Sequence, residues 1–147
     1  MRAAIKEAQK AAAIKEIPVG CVVVLDGKII ARGHNLRIKL SDATAHAEIV
    51  AIKKAGKKLG VWNLTGCEIF VTLEPCIMCA GAIVAARIKT VYFGAFDKRF
   101  GACGTHINLG DYKLNHKANI VGGVLEHECA DLLTTHFKKM RQEKKES

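Results

Sequence analysis

The stretch from Val19 to Asn35, VGCVVVLDGKIIARGHN, leaves the chain little freedom. An apolar β-branched run, the pair Asp26-Gly27 and a second such run predict an antiparallel hairpin closed by a two-residue turn. Upstream, residues 2 to 15 are Ala-rich and place Ile5, Ala8, Ala12 and Ile14 near one stripe, predicting a helix that stops before Pro18. Downstream the pattern alternates. TAHAEIVAIKKAGKKL reads as an amphipathic helix with Thr44 as its N-cap and Ile49, Val50, Ile52 and Leu59 on the apolar side. CEIFVTL predicts a third strand, PCIMCAGAIVAARI a third helix with Pro75 near its first turn, and TVYFGAF a fourth strand. Residues 97 to 117 are a long glycine-bearing connection that predicts a short helix and surface function. KANIVGGV predicts a fifth strand, and a helix from about residue 126 closes the chain with basic last turns. No linker or repeat divides residues 1 to 147. The expectation is one α/β domain, a five-stranded mixed sheet with helices on both faces.

A chain of 147 residues with 50% hydrophobic content can bury a real core, which excludes disorder of the whole. The net charge of +9 favours an acidic partner such as nucleic acid. Much of that charge sits in KKAGKK (Lys53 to Lys58) and in the tail FKKMRQEKKES, and both runs read equally well as solvated helix faces. Six cysteines could form three disulfides, but a chain of this length does not need them. No export signal and no membrane-spanning stretch is visible, so the expected location is the cytoplasm, with no membrane partner.

Cys76 and Cys79 lie three residues apart at a predicted helix start, where unpaired N–H groups favour thiolates. Their bland reading is that of small core residues, the reading that suits Cys21, Cys67, Cys103 and Cys129. The preceding Pro75 and the turn it implies favour a metal site. A closed structural zinc site would need a second C-x-x-C or an H-x-x-x-H unit, and neither is present. The best remaining donor is His46, at the start of the second helix. Three protein ligands would leave a fourth tetrahedral position for water, the arrangement of a catalytic zinc. A lone His at a helix start is more often a cap, and Glu48 two positions on lifts His46 above that reading. Residues i and i+2 of a regular helix diverge, so the pair can share a site only if His46 stands at the helix boundary. That boundary is predicted. Glu48 would then lie beside the metal rather than on it, partly dry, with a raised pKa suited to moving protons. The alternative for Glu48 is a solvated carboxylate in the first turn.

HAE at 46 to 48 and PCIMC at 75 to 79 form the H-x-E and P-C-x-x-C signature of zinc nucleobase deaminases. IPVGCVVV, ARGHN, TAHAEI, TLEPCIMCAGAI, YFGAFD, LNHK and the ECADLL helix recur in the same order in one family. The chain thus resembles the tRNA-specific adenosine deaminases that act at the wobble position of the anticodon, within the cytidine and deoxycytidylate deaminase superfamily. The resemblance implies a cytidine-deaminase-like three-layer α/β/α sandwich. It also implies one Zn2+ per subunit held by His46, Cys76 and Cys79, with Glu48 moving the protons of a hydrolytic deamination of adenosine to inosine. Asn35 would hydrogen-bond the flipped base, with Val19, Ala47 and Leu73 as walls or backbone donors; Asn35 reads equally as a turn residue. Asp97, Arg99 and Asn115 would grip neighbouring nucleotides, and Phe137, Lys138, Lys139 and Arg141 match an RNA-facing terminal helix. The implied partners are the tRNA anticodon stem-loop and a second copy of the chain in a homodimer. The sequence departs from the family at Ala43, where Pro is usual, and in FDKRFG, where a small-residue, Lys-bearing loop is usual.

Two rivals share the zinc and the fold. One is a deaminase of a small base or nucleotide, such as guanine or a pyrimidine, which the +9 charge disfavours. The other is a non-catalytic zinc subunit that binds RNA, which would not need Glu48. A zinc-stapled structural module is a third reading.

Overall fold

The computed structural model describes all residues from Met1 to Ser147. Strands β1 (Gly20–Leu25) and β2 (Lys28–His34) form the expected antiparallel hairpin, and Asp26 and Gly27 both adopt positive φ, 50° and 75°. Such a pair matches the twist of its flanking strands. On its other edge β1 pairs antiparallel with β3 (Glu68–Leu73). From β3 onward the sheet is parallel, to β4 (Thr90–Ala95) and then β5 (Asn119–Val121), in the order β2-β1-β3-β4-β5. Parallel neighbours need a crossover, and helix α3 (Ile77–Ala85) supplies the one between β3 and β4.

Helices α1 (Arg2–Ala13) and α4 (Glu126–Glu146) pack together on one face, and α2 (Ala47–Leu59) meets α3 on the other. This is the three-layer sandwich expected. The hairpin's register explains the division. Gly20 stands opposite His34, and His34 bonds Glu7 of α1; the next pair, Cys21 and Gly33, points to the other face, beneath α2. Leu64, Ile69, Ile83, Ile88, Val71, Val91 and Phe93 are the large, almost fully buried side chains around β3 and β4. Each contributes roughly 1.5–3 kcal/mol on leaving water.

The structure corrects the helical stripes. In α1 the buried residues are Ala4, Glu7, Ala8 and Ala11, whereas Ala12 and Ile14 are exposed and the helix ends at Ala13. In α2 they are Ala47, Glu48, Ala51 and Ala55, with Ile49, Val50 and Ile52 only partly covered and Leu59 exposed. The reason is closeness of approach. A Cβ on Gly33 would lie 2.7 Å from the Ala47 carbonyl oxygen and 2.8 Å from the Ala51 nitrogen, and one on Gly20 would collide with the Ala4 oxygen and Ala8 nitrogen. At these closest approaches the helices carry alanine, and the larger aliphatic residues stand at the flanks.

Three boundaries also move. Thr44 does not cap α2; its N–H and hydroxyl both donate to Asp42 Oδ1, at 2.8 and 2.7 Å, and His46 takes the N-cap position. Pro75 precedes the N-cap of α3, which is Cys76, and so stands just outside the helix. The fifth strand shrinks to residues 119 to 121, ended where Gly122 packs on the Phe93 ring and Gly123 turns to a φ of 82°. The long connection carries a single short helix, the 3-10 turn Leu109–Asp111.

Two measurements test this packing. Gly33→Ala forces a methyl group into the backbone of α2 and should cost about 3 kcal/mol in urea unfolding. Glu7, buried in α1, is raised by burial, but the Lys10 ammonium at 2.6 Å and His34 Nδ1 at 3.2 Å outweigh this and hold its carboxyl below 4.5. A depressed carboxyl contributes stability above its unfolded pKa and loses it as pH falls through the folded one. The stability margin of the wild type over Glu7→Gln should therefore be full above pH 4.5 and shrink below it.

Candidate metal centre and active site

The site forms where α2 and α3 begin. His46 is the N-cap of α2 in extended geometry, φ −69° and ψ 155°, and Cys76 is the N-cap of α3, φ −72° and ψ 176°. Neither helix start uses a side-chain cap, so both cap residues are free to face each other. Cys79 follows one turn into α3 and is fully buried. His46 Nδ1 stands 3.7 Å from Cys76 Sγ and 3.5 Å from Cys79 Sγ, and all three donor atoms lie within 4.8 Å of one another. The spacing puts one imidazole and two sulfurs around a common point.

The donor chemistry fits Zn2+. Cys76 is held down to about 4, chiefly by the Cys79 thiol and then by His46, against the opposing effect of burial. Cys79 is pushed up by the Cys76 sulfur, by burial and by Glu48. The Cys76 hydrogen bond raises His46, while burial opposes the rise. One thiolate thus forms readily and the second resists. A divalent cation removes that resistance, because it offsets the mutual repulsion of two thiolates and a nearby carboxylate. The positive ends of two helices point to the same place and act in the same direction.

Glu48, in the first turn of α2, is 4% exposed. Burial raises its pKa, while its own backbone N–H and His46 act the other way. It is therefore no solvated first-turn carboxylate, and the elevation expected from the sequence is present. Its neighbours include the Cys79 sulfur, yet it is not among the converging donors.

The remaining sequence-predicted residues divide into those near this centre and those apart from it. Ala47 is fully buried beside His46, Val19 is 9% exposed, and Leu73 ends β3 just before the Cys76 turn. Asn35 is 6% exposed and does act as a turn residue: its Oδ1 accepts the Arg37 N–H at 3.2 Å and its Nδ2 donates to the Ile17 oxygen at 3.4 Å. One face of it still lines a cleft of about 370 Å³ with Glu16, Ile17, Arg37, Ser41 and Asp42. Arg37 is near enough that its charge lowers the basicity of His46.

Asp97 spends one carboxylate oxygen on the Arg99 and Phe100 N–H groups, at 3.0 and 3.1 Å. Asn115 is exposed and its side chain makes no hydrogen bond. In α4 Cys129 is the only buried residue; Phe137, Lys138, Lys139 and Arg141 face solvent. The sequence reading missed three buried carboxylates, Glu7 of α1 among them. Glu16, 1% exposed, accepts the Ile38 N–H at 2.7 Å, and Glu74, 2% exposed, accepts from residues 97 to 105. For Glu16 and Glu74 the signal was a Glu set in an apolar run directly before or near a proline, EIP and LEP.

The profile of the cytidine and deoxycytidylate deaminase zinc-binding region matches residues 1–95. A tRNA-specific adenosine deaminase of Bacillus subtilis (strain 168) is 50% identical over 146 residues, covering 99% of this chain and 91% of that one. A solved structure from studies of A-to-I editing by tRNA:A34 deaminases at the wobble position superposes with a TM-score of 0.84 at 42% identity, over 90% of this chain and 97% of that one. The guanine deaminase of Bacillus subtilis superposes with a TM-score of 0.65 at 35% identity, over 78% and 83%.

Removing one donor should empty the centre. His46→Ala and Cys76→Ala are each expected to bind less than a tenth of the zinc of the wild type, about tenfold less at equal free metal or lower, measured by elemental analysis after dialysis.

Proposed function

The chain belongs to the zinc-binding cytidine and deoxycytidylate deaminase family, on the branch of the tRNA-specific adenosine deaminases, and from that membership we propose that it hydrolyses adenosine to inosine at the wobble position of a tRNA anticodon. The observation that carries the reading is a buried carboxylate set beside a His-Cys-Cys donor group and left out of it. A structural zinc site has no use for such a residue.

His46, Cys76 and Cys79 would hold Zn2+, which when bound supplies the Lewis acidity that makes water a nucleophile near neutral pH. The deamination adds water at C6 of adenine and expels ammonia, so protons must move from the attacking water to the base and to the departing nitrogen. Glu48 would serve both transfers. Its carboxylate would take a proton from the attacking water and give it to N1, then take the second proton from the new C6 hydroxyl and deliver it to the departing nitrogen, leaving a C6 carbonyl and ammonia. Burial raises its pKa, the direction that favours the protonated form through which a proton shuttle must pass. Asn35, which lines the cleft, would hydrogen-bond the base edge, with Val19, Ala47 and Leu73 as walls or backbone donors.

A polyanionic substrate suits the +9 charge and the solvent-facing Phe137, Lys138, Lys139 and Arg141 of α4. Arg99 and Asn115, exposed in the 97 to 117 connection, would meet nucleotides beside the target, whereas Asp97 serves chiefly to shape its loop. A homodimer is the expected assembly, and the exposed Trp62 and Ile77, at 69% and 61%, are side chains that a partner subunit would cover. No helix is long and apolar enough to cross a membrane. All six cysteines are free thiols, which suits a reducing cytoplasm.

Incubation with an anticodon stem-loop followed by sequencing should read inosine at the wobble position, and turnover of free guanine or cytosine with none on RNA would reverse the assignment. Glu48→Gln should keep its zinc and lose about 10³-fold or more of the editing rate.

A further inference from the structure

Two residues before Cys76, the Glu74 carboxylate is 2% exposed and forms no ion pair with any Lys or Arg. Four donors from one segment satisfy it instead. The Asp97 N–H donates to Oε1 at 3.1 Å, the Cys103 and Thr105 N–H groups each donate to Oε2 at 3.1 Å, and the Thr105 hydroxyl donates to Oε1 at 2.5 Å. The backbone adds a parallel tie, Ala102 N–H to the Pro75 oxygen at 2.8 Å. Contact is close enough that a Cβ on Gly101 would lie 2.5 Å from the Glu74 carboxylate. The segment held in this way bends back at Asp97 and presents Arg99 and Phe100 at its tip, the guanidinium 5.8 Å from the ring centroid and Phe100 65% exposed.

We propose that Glu74 is a positioning residue: its carboxylate fastens the substrate-facing loop 97–105 to the turn that carries Cys76, so that the loop is ordered before RNA arrives. This rests on the polynucleotide reading above. Three backbone N–H groups and a hydroxyl converging on one anion make a rigid, charge-assisted knot. A loop already ordered loses less entropy on binding, so the effect belongs in substrate affinity rather than in the chemical step. Glutamine tests this at constant shape, because it replaces one accepting oxygen with an NH2 that faces N–H donors. Thr105, at the exposed end of the knot, offers a milder pair: valine removes the hydroxyl and serine retains it.

Glu74→Gln should fold and keep wild-type zinc, show faster amide hydrogen exchange in 97–105, and raise KM for the anticodon stem-loop roughly tenfold with kcat within about threefold of wild type. Thr105→Val should raise KM by about threefold while Thr105→Ser stays near wild type. Unchanged exchange, unchanged KM, or a loss confined to kcat or to zinc would overturn the proposal. If Glu74→Gln fails to fold, the Thr105 pair decides by the same comparison. A wild-type protein that forms no inosine would overturn the function reading instead. Glu74 is then judged by stem-loop affinity in fluorescence anisotropy, where an unchanged Kd sinks it.

Discussion

The site depends on two helices beginning at one place. His46 and Cys76 are both N-caps in extended geometry, and the atoms they present lie 3.7 Å apart although 30 positions separate them in the chain. That meeting is fixed by backbone packing more than by the side chains involved. α2 lies against Gly33 of β2, and α3 is the crossover between two hydrogen-bonded parallel strands, so neither can slide without breaking a close contact or a ladder. The same convergence brings two positive helix ends together. Local electrostatics and local geometry therefore share one cause.

Leaving the cap positions without their usual side-chain bonds is a cost, since Ser, Asn or Asp there would satisfy an N–H of the first turn. The exchange is a donor atom aimed outward from a rigid seat. The contact between the two sulfurs then divides the cysteine pair into one readily ionised and one resistant thiol, and burial raises the pKa of Glu48. A divalent ion is the natural resolution of so much negative charge in so little space.

Much of this was legible in the residues. The Asp26-Gly27 turn, the order of strands and helices, and the boundary position of His46 follow from local signals, because turn chemistry and i, i+2 geometry act over a few residues. The buried stripes of α1 and α2 were misread apart from Ala8, since periodicity favours Ile5 and Ile49 while the closest contacts with the neighbouring strands fall on Ala4, Ala8, Ala47 and Ala51. That is a tertiary constraint, set by Gly20 and Gly33 across the layer. The cap at His46 in place of Thr44 has a similar origin, a competing bond from Asp42. The partners of Glu74 were unreadable for a different reason. Its donors lie more than twenty positions downstream in a connection whose path no local pattern specifies.

The long α4 touches the sheet through its first turns and buries a single residue, Cys129. Its outer half is consequently an appended arm, a spar whose charge and length are thermodynamically separate from the body that carries it. Substitutions along that spar are expected to leave the stability of the body unchanged, because they remove no buried contact.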